Sequence, residues 1–132
     1  MKSILIITIV CIVALFVTPV IGEDVPNFYK NTYPKHALKS VLEANKALMG
    51  KEAKLDAKTR ELIALGVAAQ IPCSYCVYVH TKNLMAEGAS EAEIREAVAI
   101  AAHVRHWSTV LNGMGYDLEA FKAEVDKIHS AE

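Results

Sequence analysis

Cysteine is scarce in this chain. Only Cys11, Cys73 and Cys76 occur in 132 residues, and the last two are three positions apart. A bond between neighbours cannot staple distant segments, so the fold rests on an apolar core rather than on a disulfide framework. No stretch alternates apolar and polar residues in the way a half-buried strand does, which excludes a sheet. There is no glycine-rich loop to cradle phosphates and no Gly-x-Ser-x-Gly elbow, which removes nucleotide-binding and serine-hydrolase chemistry. No internal repeat is present. Excess positive charge is also missing: 14 Lys and Arg stand against 15 Asp and Glu, a net of −1. Such a balance gives no footing for a nucleic-acid partner. A second Cys/His ligand pair is lacking too, so no metal or cofactor is expected.

Residues 1–22 differ from the rest. Lys2 supplies a short positive start, Ile4 to Val17 is apolar apart from Thr8 and Cys11, and Thr18-Pro19-Val20-Ile21-Gly22 leads into Glu23-Asp24. This reads as a signal peptide cut after Gly22, with an uncleaved N-terminal anchor as the alternative. The expected localisation is therefore exported (periplasmic or secreted), or membrane-anchored if the segment is kept. Residues 23–132 then form a single domain. A chain of this size buries only a modest core, which oligomerisation would supplement.

The remaining chain reads as helices. Glu23 to Tyr33 is a polar, extended lead-in. Ala37, Leu38, Val41, Leu42 and Leu48 recur at helical spacing from Lys35 to Met49, with Pro34 at the start, Thr32 as a nearby cap and Gly50 as the stop. Asp56 caps a helix from Ala57 to about Gln70, slim at Ala64, Gly66, Ala68 and Ala69 and suited to close packing. Ser90 and Glu93 make a capping box for a helix reaching about Leu111. Asn112-Gly113-Met114-Gly115 breaks it, and Asp117 caps a last helix, Leu118 to Ile128. The class is all-α, with about five helices.

The chemistry concentrates in Cys73-Ser-Tyr-Cys76-Val-Tyr-Val-His80. Pro72 suits a helix start, so Cys73 and Cys76 open a helix that runs to about Glu87 and stops at Gly88. A helix N-terminus favours thiolate over thiol. Positions three and four apart share a face, so Cys73, Cys76 and His80 lie along one stripe. A histidine beside a thiol, with a second thiol within disulfide reach, is the minimal equipment for thiol–disulfide chemistry. Three plainer readings stand beside it: an inert structural disulfide, a metal site needing a fourth ligand, and an ordinary half-buried histidine. Glu61, by pattern alone, is a solvated acid on a helix. His103 and His106 read as packing or site-rim residues, and Trp107 as core or interface.

Glu61, Cys73, Cys76 and His80, with gaps of 12, 3 and 4, resemble the alkylhydroperoxidase D-like branch of the carboxymuconolactone decarboxylase family. The order helix, Pro-CxxC helix, capped helix agrees, and the resemblance covers roughly Lys35 to Gly113. It implies an alkylhydroperoxidase D-like helical domain assembled as a trimer or hexamer. It also implies a thiol peroxidase: Cys76 attacks peroxide, Cys73 resolves it as a disulfide, His80 is the base and Glu61 completes a proton relay. The substrate would be a hydroperoxide or disulfide, and the reductant an unidentified dithiol. This chain departs from well-known members at Tyr75, where they carry a histidine. The alternatives are a thiol–disulfide exchange protein of the cell envelope, led by Cys73, and a non-catalytic helical binding module.

Overall fold

In the computed structural model, which describes residues 25–130, helices carry all the regular structure among the described residues. The signal or anchor read over residues 1–22 lies outside them. The chain divides into two units, one ending at Glu43 and the other running from Ala44.

The first unit opens with a helix that pattern reading missed. α1, Asn27–Thr32, stands where an extended lead-in was expected. The carbonyl of Pro26 accepts from the N–H groups of Tyr29 at 3.1 Å and Lys30 at 3.4 Å. The Thr32 hydroxyl donates to the Phe28 carbonyl at 2.6 Å, so it closes α1 on itself rather than capping the next helix. Six residues are too few to show a 3.6-residue period. α2, Lys35–Met49, comes next with the expected bounds and with Leu38 buried. It stops at Gly50, where a Cβ would run into the Lys46 carbonyl oxygen.

The second unit is built on α3, Ala57–Gln70, which packs against both α4, Ser74–Ala86, and α5, Glu91–Gly113. Asp56 caps α3 as expected: its carboxylate accepts from the Thr59 N–H at 2.9 Å and the Thr59 hydroxyl at 2.6 Å. Arg60 donates to the carbonyls of Met49, at 2.9 Å, and Leu55, pinning the 50–56 connector. Leu65, Ala68 and Leu84 form the buried apolar centre. The slim side of α3 meets α5, where Gly66 faces the Ala101 methyl and the Gln70 amide donates to the Ala101 carbonyl at 2.6 Å.

The capping box of α5 is present on both sides. The Glu93 N–H donates to the Ser90 hydroxyl at 3.2 Å, and the Ser90 N–H to the Glu93 carboxylate at 2.7 Å. Lys58 of α3 reaches the other Glu93 oxygen at 2.9 Å, so one side chain both caps α5 and ties it to α3. Gly88 and Gly115, at φ of 75° and 62°, end α4 and α5 with paired backbone bonds back into the last turn. α5 runs through Asn112 and Gly113 before it stops, two residues past the expected end. α6, Leu118–His129, is capped by Asp117, which accepts from the Ala120 N–H at 2.8 Å.

Candidate active site

Cys73 sits between α3 and α4 and belongs to neither. Its N–H donates to the Ala68 carbonyl at 3.0 Å, while its sulfur accepts from the Cys76 N–H at 3.2 Å. It is thus the N-cap of α4, one residue before the helix it was expected to open, and Pro72 precedes the cap. Serine and aspartate usually fill this place because they present an oxygen to the first turn. Here a sulfur does. Cys76 lies in that first turn, and the two are joined as a disulfide with Cα atoms 5.3 Å apart. Both cysteines are half-buried, whereas Tyr75 between them is 88% exposed.

One turn on, His80 turns its Nδ1 to Glu61 of α3, 2.7 Å from Oε2. Glu61 is not the solvated acid that its pattern suggests. It is 7% exposed, the one buried charged side chain among the described residues. Both its oxygens are engaged: Oε2 by His80, and Oε1 by the Asn83 side-chain amide at 3.1 Å. An ionised carboxylate only accepts, so a neutral His80 facing it carries its proton on Nδ1 and keeps the Nε2 lone pair available. A buried acid is rare unless paired, and the pairing across α3 and α4 accounts for this one.

Cys76 and His80 thus lie on α4, with Cys73 capping it and bonded to Cys76, and Glu61 of α3 bound to His80, so the four sequence-picked residues fall in one region of the second unit. Asn83 was missed. Its only signal was its place three residues after His80 on the same face. His103 and His106 lie apart from this group on α5 and are exposed. Their rings stack with centroids 6.3 Å apart, and the Trp107 indole N–H donates to His103 Nε2 at 2.8 Å. Trp107 is half exposed, so it is not core within the chain. No group of three or more His, Cys, Asp or Glu side chains suited to a metal occurs among the described residues. A depression of about 620 Å³ flanks α4 along Ser74, Val77, Tyr78 and Met85, but neither sulfur lines it.

The carboxymuconolactone decarboxylase family profile matches residues 36–117, which hold the whole site. The chain belongs to this family. It resembles the crystal structure of the alkylhydroperoxidase AhpD core from Rhodospirillum rubrum, with a TM-score of 0.64, 33% identity, and 74% of this chain and 73% of that one covered. The alkylhydroperoxidase D-like helical fold read from the sequence is therefore the observed one, with six helices among the described residues rather than about five. A curated relative, uncharacterized protein 4 in the cox locus of Paracoccus denitrificans, is 41% identical over 51 residues. That stretch is 39% of this chain and 46% of the relative, so the chain matches less than half of that relative's length. The family includes enzymes of peroxidase-like and decarboxylase type.

Proposed function

We propose that the protein is a thiol-dependent peroxidase-like oxidoreductase. The observation that carries the reading is the pairing of the buried Glu61 with His80, 2.7 Å apart, with His80 four residues after Cys76 of a Cys73–Cys76 disulfide. In the reduced protein His80 takes the Cys76 thiol proton on Nε2. The thiolate attacks the outer oxygen of a hydroperoxide. An S–O bond forms as the O–O bond breaks, sulfur gives up two electrons, and the alkoxide leaves with the proton returned by His80. The products are a Cys76 sulfenic acid and an alcohol. The Cys73 thiol then displaces water from that sulfenic acid and restores the disulfide. An external dithiol reduces it by exchange, becoming a disulfide itself. The likeness to the alkylhydroperoxidase AhpD core supports the same assignment. Export or anchoring through residues 1–22 and assembly into a trimer or hexamer belong to the proposal.

The test is peroxide consumption by the reduced protein with a dithiol present. Cys76→Ser is expected to abolish it. Cys73→Ser is expected to leave one turnover, ending at a sulfenic acid that reacts with dimedone. Consumption that persists in Cys76→Ser contradicts the assignment.

The sulfur cap favours a second reading. Cys73 accepts an amide N–H at the start of α4, an environment that stabilises its thiolate. That suits Cys73 as the first nucleophile in exchange with other proteins' disulfides. A mixed disulfide trapped on Cys73 and not on Cys76 would favour this reading over peroxide turnover.

A further inference from the structure

We infer that Asn83 is a positioning residue: by holding the Glu61 oxygen that His80 does not use, it fixes the carboxylate, and with it the orientation of the base beside Cys76. The inference rests on the thiol-redox reading of the site and adds a residue to it.

A carboxylate held by one oxygen can turn about its last side-chain bond, whose torsion is broad. A donor on each oxygen fixes its plane. Glu61 has one donor on each: His80 Nδ1 at 2.7 Å on Oε2 and Asn83 Nδ2 at 3.1 Å on Oε1. Burial makes the second donor matter, because without it an acceptor is left unpaired at a site only 7% exposed. The amide must present its nitrogen here, since an ionised carboxylate cannot donate. His80 and Asn83 come from adjacent turns of α4 and grip a single side chain of α3. The bidentate grip therefore also sets the register of α4 against α3 at the redox end.

The other ionisable groups near this pair are engaged elsewhere. On α3, Lys58 is bound to Glu93 of α5, and the Arg60 guanidinium serves the Met49 and Leu55 carbonyls. On α4, the Lys82 ammonium lies 5.8 Å from the centre of the Tyr78 ring, and Cys73 and Cys76 share the disulfide. From α5, the acid facing α3 at this end is Glu93, already paired with Lys58. None of these bonds reaches the Glu61 carboxylate, so Asn83 is the neutral group that completes it.

The experiment is iodoacetamide alkylation of Cys76 in the reduced full chain, followed by peptide mass against pH. The proteins compared are the wild type, Asn83→Leu, Asn83→Ser, His80→Ala and the double variant His80→Ala with Asn83→Leu. Asn83→Leu is expected to raise the alkylation midpoint, slowing Cys76 at neutral pH by about three- to tenfold. The rate reached at high pH should be unchanged. In the His80→Ala background the same substitution should shift nothing further, because Asn83 acts through His80. An unchanged midpoint overturns the inference, as does an equal shift in the His80→Ala background. Should Asn83→Leu fail to fold, Asn83→Ser carries the same expectation and is read the same way. The readout is independent of peroxide. A wild type that consumes no peroxide would undo the peroxidase reading and leave the Asn83 result standing, and an unmoved midpoint would do the reverse.

Discussion

A buried glutamate is costly unless its oxygens are paired. Glu61 is tolerated because His80 and Asn83 supply donors from α4. Removing its charge should therefore be felt at the sulfur. Glu61→Gln leaves His80 facing an uncharged amide in place of a carboxylate, and peroxide consumption is expected to fall by about 100-fold with the helical circular dichroism retained. Leu84, fully buried on α4, is a matter of packing: Leu84→Ala should cost about 2–5 kcal/mol by urea unfolding. The sequence made Cys73, Cys76 and His80 legible because cysteine and histidine are chemically marked and fall at helical spacing. Glu61 became legible only through the family resemblance, since a lone acid on a helix has no pattern that reveals burial. Asn83 carried only the signal of its spacing from His80, which by itself names no partner. Asparagine mid-helix is read as a solvated residue, and its partner lies 22 residues away on another helix.

At the scale of elements, the helix starts carry the clearest chemistry. Asp56, Ser90 with Glu93, and Asp117 could all be placed from sequence, because a cap is a local contract between one side chain and the N–H groups of the first turn. α1 could not, being shorter than any periodic signal. The Glu93 carboxyl is held down to about 2, against 4.5 in an ordinary chain, first by the Ser90 N–H, then by Lys58 and the Ser90 hydroxyl. A lowered folded value means that the contribution is complete above pH 4.5 and is lost as the pH falls from 4.5 toward 2. The difference in urea midpoint between the wild type and Glu93→Gln should shrink across that interval. The glycines part company. Gly88 holds a φ of 75°, so Gly88→Ala should destabilise by about 1–2 kcal/mol. A methyl added at Gly66 would meet Ala101 at an ordinary 3.6 Å, so Gly66→Ala should stabilise by up to about 1 kcal/mol. Denaturant unfolding of the two variants checks both signs.

At the scale of the whole molecule, the apolar surface left uncovered is large. Ile63 and Val67 on α3, and Ile100 and Val104 on α5, are each more than half exposed and line one groove of about 500 Å³. Helical periodicity can mark an apolar side of a helix, but it cannot say whether that side faces the chain's own core or another copy. The trimer or hexamer implied by the family resemblance would cover them. Sedimentation should give a trimeric or hexameric mass, and Val104→Lys should lower it. A wild type that sediments as a monomer contradicts the assembly. No helix among the described residues is long and apolar enough to cross a membrane.

The central claim is that His80, oriented by Glu61, activates Cys76. The most direct measurement is the rate of Cys76 alkylation against pH in the reduced protein, with and without His80. Reaction at or below neutral pH that moves up toward about 8.5 in His80→Ala is the result expected from a thiol paired with a base. Reaction that begins only in alkaline solution, and that is indifferent to His80, would contradict the account and leave the disulfide as a structural bond in a helical module.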